Sequence, residues 1–225
     1  MLCDGRGISL NQLFNSDNIV WKTMDFIGKL LLLNLLTLSC CLPVVTMGAA
    51  IAANYKVTQN LVLKIDGSLV KTYFRAFRTN FIQATWVWFG ELIVIVGVVF
   101  NLLYLIPTYY GGTMGIVLTF ALTFALLLIL GICNMFFPFL VRFENRLITH
   151  LQNSIYLVFK NLSRTLLVTI INVLIIALPI IFVIDSPSIV FFWISFFASV
   201  VTLINNWLIK DLLISAEVKR EKAIE

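Results

Sequence analysis

The chain has 225 residues, 60% hydrophobic and 12% charged, with a mean hydropathy of +1.00; a soluble domain carries about 25% charged residues. That excess of apolar surface excludes a water-soluble globule and sets most of the chain against lipid. The net charge of +5 then reads as a membrane-orientation signal, and no nucleic-acid partner is expected.

A helix crosses the hydrocarbon core with roughly 20 apolar residues. The first segment of that kind spans about 25–42 and ends in "LSCCLPVVTMGAA", residues 38–50. Pro43 has no backbone N–H and clashes with the preceding turn, so a helix kinks or ends near Cys41. Thr46 is placed to cap a following helix, and Gly48 with the alanines after it allows close helix approach. Cys40 and Cys41 are adjacent, point apart on a helix and read as small apolar packing rather than a metal or redox site. Asp25 and Lys29, four residues apart, are expected to pair at the outer end of this span.

Residues 54–83 are expected to form a cytoplasmic amphipathic segment, with Asp66-Gly67 as a turn. Within 68–83, Lys71, Arg75 and Arg78 share one helical face, and Tyr73, Phe74, Phe77 and Phe81 occupy the opposite arc. This pattern suits a helix at the headgroup level, contacting lipid or docking a partner membrane protein.

Further spans follow at about 84–106, 112–141, 165–184 and 188–209. Glu91 lies inside the second, and an ionisable group at membrane depth is a functional candidate. Asn34, Asn101, Asn134 and Asn172 are candidates for interhelical hydrogen bonds or for a polar path. Pro138, near the end of the third span, matches Pro43 as a second joint.

Thirteen of the sixteen Lys and Arg fall on one side if the five spans alternate. The positive-inside rule then sets the N-terminus outside and the C-terminus inside. Two alternatives stand beside this arrangement. The first segment reads either as a signal peptide or as a re-entrant segment with the N-terminus inside. A repeat is also visible: a span with a Pro-bearing exit, a basic loop, and then "FRTNFIQAT" in one half or "FKNLSRT" in the other. The expected architecture is a single all-α polytopic bundle over 1–225, two tandem hairpins plus a fifth helix.

Catalytic constellations are missing from this pattern. His150, the single histidine, sits in a basic loop without the Cys, His or carboxylate neighbours that a zinc site requires, and there is no Walker lysine motif. No catalytic, metal or cofactor residues are assigned.

"LLLNLLTLSCCLPVVTMGAAIAANYKVTQNLV" followed by "YFRAFRTNFIQATWVWF" resembles the YesL family of small membrane proteins of Gram-positive bacteria. Cys40, Leu42, Pro43, Val45, Thr46, Gly48 and Ala49, then Phe77, Asn80, Phe81, Ala84 and Thr85, carry the resemblance. It implies a protein of the bacterial cytoplasmic membrane without established activity. It also implies an accessory role beside carbohydrate ABC importers, with permease subunits and their ATPase as partners. A small independent transporter or channel using Glu91 and the intramembrane asparagines is the alternative.

Overall fold

The computed structural model of the chain describes residues 19–109, 112–181 and 187–221, with side chains over 20–107, 112–175 and 198–218. These residues are helical, with no strand among them. In chain order the helices are α1 (Ile19–Cys41), α2 (Met47–Val62), α3 (Leu69–Phe100), α4 (Gly112–Leu140), α5 (Leu147–Lys160), α6 (Leu162–Ile181) and α7 (Pro187–Glu221). A π-helical turn, Asn101–Leu105, and one α turn, Ile106–Tyr109, extend α3.

Three helices among the described residues are long and apolar enough to cross a membrane: α1, α3 with its π turn, and α4. The α5–α6 pair, bent by 102° at its junction, makes a fourth if it is one broken span. The expected span 165–184 falls on α6 as far as Ile181, and the one at 188–209 falls within α7. Residues 182–184 and the side chains of 176–197 lie outside the described residues.

Pro43 ends α1 as its missing N–H requires, and a 3-10 turn, Val44–Thr46, follows. Thr46 does not cap α2. Its hydroxyl donates backwards, to the Cys40 carbonyl and to the Pro43 carbonyl at 2.8 Å. It thereby satisfies a carbonyl that the interrupted α1 leaves without a helical partner. Pro138 behaves differently from Pro43: it lies inside α4, in the last turn before Leu140.

The joint at Pro43 folds α1 and α2 into an antiparallel hairpin, with Thr37 against Asn54 and Leu33 in one cluster with Ala53 and Val57. A second tight turn then reverses α2 into α3. Lys64 takes the left-handed conformation there (φ 54°), and the Ile65 N–H bonds the Asn60 carbonyl at 2.9 Å, closing the end of α2 as left-handed C-caps do. The start of α1, the end of α2 and the start of α3 therefore share one end of the molecule. A first span crossing fully by alternation would have put the start of α1 at the opposite end; the short α2, folding back along α1, is the reason it does not.

The expected separate amphipathic segment 54–83 is divided by this geometry. Residues 54–62 belong to α2, and 69–83 run without a break into the second span. Leu69–Leu105, 37 residues, is roughly 55 Å long against a hydrocarbon core of about 30 Å. Tyr73 and Phe77 do not face outward. Tyr73 is fully buried against Leu33, Ala53 and Val57, and Phe77 packs on the same cluster. Phe74 stays exposed.

The core is organised around α2. Gly48, Ala49, Ala50, Ala52 and Ala53 are buried, as are Asn54, Tyr55, Val57, Thr58 and Gln59. A Cβ on Gly48 would stand 2.4 Å from the Ala84 carbonyl oxygen and 2.7 Å from the Trp88 Cβ, so only glycine admits α3 at this distance. On the other side, Ala52 and Tyr55 pack with Cys133, Phe136 and Phe137 of α4.

Candidate functional site

Two polar regions stand out, one inside the bundle and one at its basic end. The interior region joins α1, α2 and α7. The Asn54 amide donates to the Thr37 and Ser199 hydroxyls (2.9 and 3.0 Å), and its oxygen accepts from the Thr202 hydroxyl at 2.6 Å. The Ser199 backbone N–H donates to the Asn34 side-chain oxygen at 2.7 Å. Asn205 donates to the Tyr55 hydroxyl at 2.9 Å, and Asn206 to the Thr58 hydroxyl at 2.7 Å. Removed from water, such groups need protein partners; the donors find them in one another, while the side-chain oxygens of Gln59, Asn205 and Asn206 are buried without one.

Of the sequence-predicted intramembrane candidates, only Asn134 and Asn172 meet. Asn34 belongs to this network. Asn172 donates to Asn134 at 3.0 Å between α6 and α4, where Gly131 makes room for Thr165 and Thr169. Asn101 donates to the Gly97 carbonyl of its own helix at 2.8 Å. Glu91 faces the Cys133 thiol across the α3–α4 contact. Asn54, Asn205 and Asn206 were missed as candidates. The signal available for them was the polar pair Asn205-Asn206 inside an apolar run.

At the basic end, the end of α2, the turn before α3, the first turns of α3, the loop after α4 and the start of α5 surround a cavity of about 1050 Å³. Five basic side chains line it, Lys56, Lys71, Arg75, Arg142 and Arg146, against two acidic ones, Asp66 and Glu144. Lys71 and Arg75 arrive together because residues four apart share a helix face. Tyr73 and Ala76, on the inward side of the same turns, lock α3 against α1 and α2. Arg78 and Phe81 do not line the cavity.

Two of the cations are held in place. Arg142 Nη2 donates to both carboxylate oxygens of Glu217 on α7, at 2.7 and 2.8 Å, while its buried Nε has no hydrogen-bond partner. Lys56 Nζ donates to the Val141 carbonyl at 2.8 Å, one of the carbonyls left over where α4 ends. Burial first, and the neighbouring Arg142 charge second, hold the Lys56 ammonium below its ordinary pKa. Lys71, Arg75 and Arg146 have no carboxylate within 4.0 Å among the described residues. The pairs found there are Asp25–Lys29, at 2.6 Å, and Arg142–Glu217.

His150, expected in an open loop, is instead buried on α5. Its ring packs edge-on to Phe136 at 6.1 Å and is hydrogen-bonded to the Phe143 backbone.

The described helices and their apolar faces define an all-α protein of membrane type. Residues 30–104, a third of the chain, match the family model described as "Protein of unknown function, DUF624". The match covers the second half of α1 and all of α2 and α3, the stretch that contains the Pro43 joint and the Lys71–Arg75 face. No curated protein and no solved structure matches the chain.

Proposed function

We propose that the chain is a multi-pass protein of the bacterial cytoplasmic membrane that acts by contact with other membrane proteins and carries out no chemistry of its own. One observation carries this reading: α2 fills the centre of the bundle, and Thr37, Asn54, Tyr55 and Thr58 are hydrogen-bonded there to side chains of neighbouring helices. A solute pathway would need those groups to line open space. Asn134 and Asn172 pair with each other, but Asn34, Asn101 and Glu91 bond elsewhere, which weighs against the channel alternative.

The outward faces suit association within the bilayer. Leu35, Ile93, Val96, Phe120 and Leu174 are exposed apolar side chains on α1, α3, α4 and α6, available to lipid or to the helices of a second membrane protein. The resemblance to the YesL group supplies the partner: the permease of a carbohydrate ABC importer, with the basic end towards the ATPase. In this reading the basic end is cytoplasmic. The start of α1 and the end of α7 then both lie inside, with α1 and α2 as a re-entrant hairpin.

Affinity purification of the tagged protein in mild detergent tests the proposal. Permease or ATPase subunits should co-elute. Their absence after cross-linking in intact cells would sink the partner reading. Solute flux in proteoliposomes that disappears with Glu91→Gln would establish the transporter instead.

A further inference from the structure

We propose that the cavity at the basic end is a binding site for a phosphate-bearing anion, either the headgroup of an anionic lipid or a soluble phosphate compound. The proposal does not depend on which protein partner the chain has.

The charge arrangement comes first. Folding gathers Lys56 and Arg142 side by side, partly withdrawn from water, although like charges disfavour one another there. Glu217 answers Arg142 from one side only, and the buried Arg142 Nε remains without a partner. Lys71, Arg75 and Arg146 add three cations without an ion pair among the described residues, so the five basic side chains outnumber Asp66 and Glu144 on the wall and Glu217 beside it. A cavity wall with that excess attracts anions and concentrates them.

The second argument is the kind of donor available. Beside the cations stand the hydroxyls of Ser68 and Thr72, whereas Thr79 and Asn80 already donate to the Arg75 and Ala76 carbonyls of their own helix. A phosphate group offers several oxygens at once and is met by guanidinium forks combined with hydroxyl and amide donors. A single carboxylate would leave most of this wall unused. The volume, about 1050 Å³, exceeds what one inorganic phosphate fills and has room for the group that carries it.

Position is the third argument. The cavity sits where α3 and α4 reach the basic end of the bundle, which the membrane placement proposed above sets at the cytoplasmic headgroups. Basic residues next to membrane helices are attracted to anionic headgroups.

The experiment uses the full chain in phosphatidylcholine nanodiscs, titrated with inorganic phosphate at constant ionic strength, and in parallel nanodiscs containing phosphatidylglycerol. One variant removes two exposed cavity cations, Lys71→Gln with Arg75→Gln. A control removes two exposed cations outside it, Arg78→Gln with Arg164→Gln.

Saturable phosphate binding that weakens at least tenfold in the cavity variant and less than twofold in the control identifies a soluble phosphate site. Thermal stabilisation by phosphatidylglycerol alone, lost in the cavity variant and kept in the control, identifies a headgroup site. Equal weakening in both variants, or no response to either probe, overturns the proposal. Arg146→Gln, a loop substitution, provides the same comparison should the double variant fail to fold.

Discussion

The two short helices, α2 and α5, each follow a helix that ends at or near a proline and precede a longer one, yet they end in opposite situations. α2 is enclosed by α1, α3, α4 and α7. α5 buries His150, Ser154 and Val158 but exposes Ile148, Ile155, Tyr156 and Phe159. The difference lies in side-chain size. Gly48 and the run of alanines give α2 a thin cross-section, so several neighbours approach at backbone distance. The bulky side chains of α5 keep one face open. A repeat of sequence pattern therefore does not become a repeat of environment. The continuous α3 also has nothing like the 102° bend that separates α5 from α6.

Substitutions along these two helices test the contrast. Gly48→Leu should have the largest effect. Its Cβ alone would meet the backbone of α3 at 2.4 Å, and overpacking against backbone costs about 3 kcal/mol. Thermal unfolding in detergent should show a folded yield near zero or a large fall in Tm, and an unchanged Tm would refute the enclosed position of α2.

Asn54→Leu should come next, at about 2 kcal/mol, because Thr37, Ser199 and Thr202 would each lose a buried partner. The matched change on α5, Asn153→Leu at an exposed position, should stay within about 0.5 kcal/mol. Equal losses in the two unfolding curves would erase the distinction.

Gly131→Val tests the other half of the molecule. A Cβ there stands 2.9 Å from the Thr165 methyl, a side-chain atom that has some freedom to shift. The expected cost is about 1 kcal/mol, clearly below that of Gly48→Leu. The smallest effect belongs to Phe159→Ser, within about 0.5 kcal/mol in detergent, since its ring is exposed. A large loss of Tm would mean that α5 is enclosed after all.

Much of the helical layout is legible in the residues themselves. The apolar runs, the break at Pro43 and the Asp25–Lys29 pair are local effects, decided by groups within a turn or two of one another; the turn expected at Asp66-Gly67 instead forms just ahead of it, at Leu63–Lys64. The burial of Tyr73 was not legible. An aromatic stripe at helical spacing looks the same whether lipid or another helix covers it, because the bilayer interior is as apolar as a protein core. Thr46 shows the limit at short range. A threonine before a helix suggests a cap, but the carbonyls exposed by Pro43 compete for the same hydroxyl and win.

At the candidate site, the helix face bearing Lys71 and Arg75 could be read in advance, since their spacing alone aligns them. Lys56, Arg142 and Arg146 could not be assigned to the same wall, because nothing local joins them.

Membrane class, helix positions and the Pro43 break thus follow from composition, hydropathy and backbone chemistry, all of which act over short stretches of chain. Partnerships follow from packing. Asn54 meets Ser199 across 145 residues, and Arg142 meets Glu217 across 75. Such pairs form only after α7 has docked against α2 and α4, and that docking also leaves the cations of the basic end facing a common cavity.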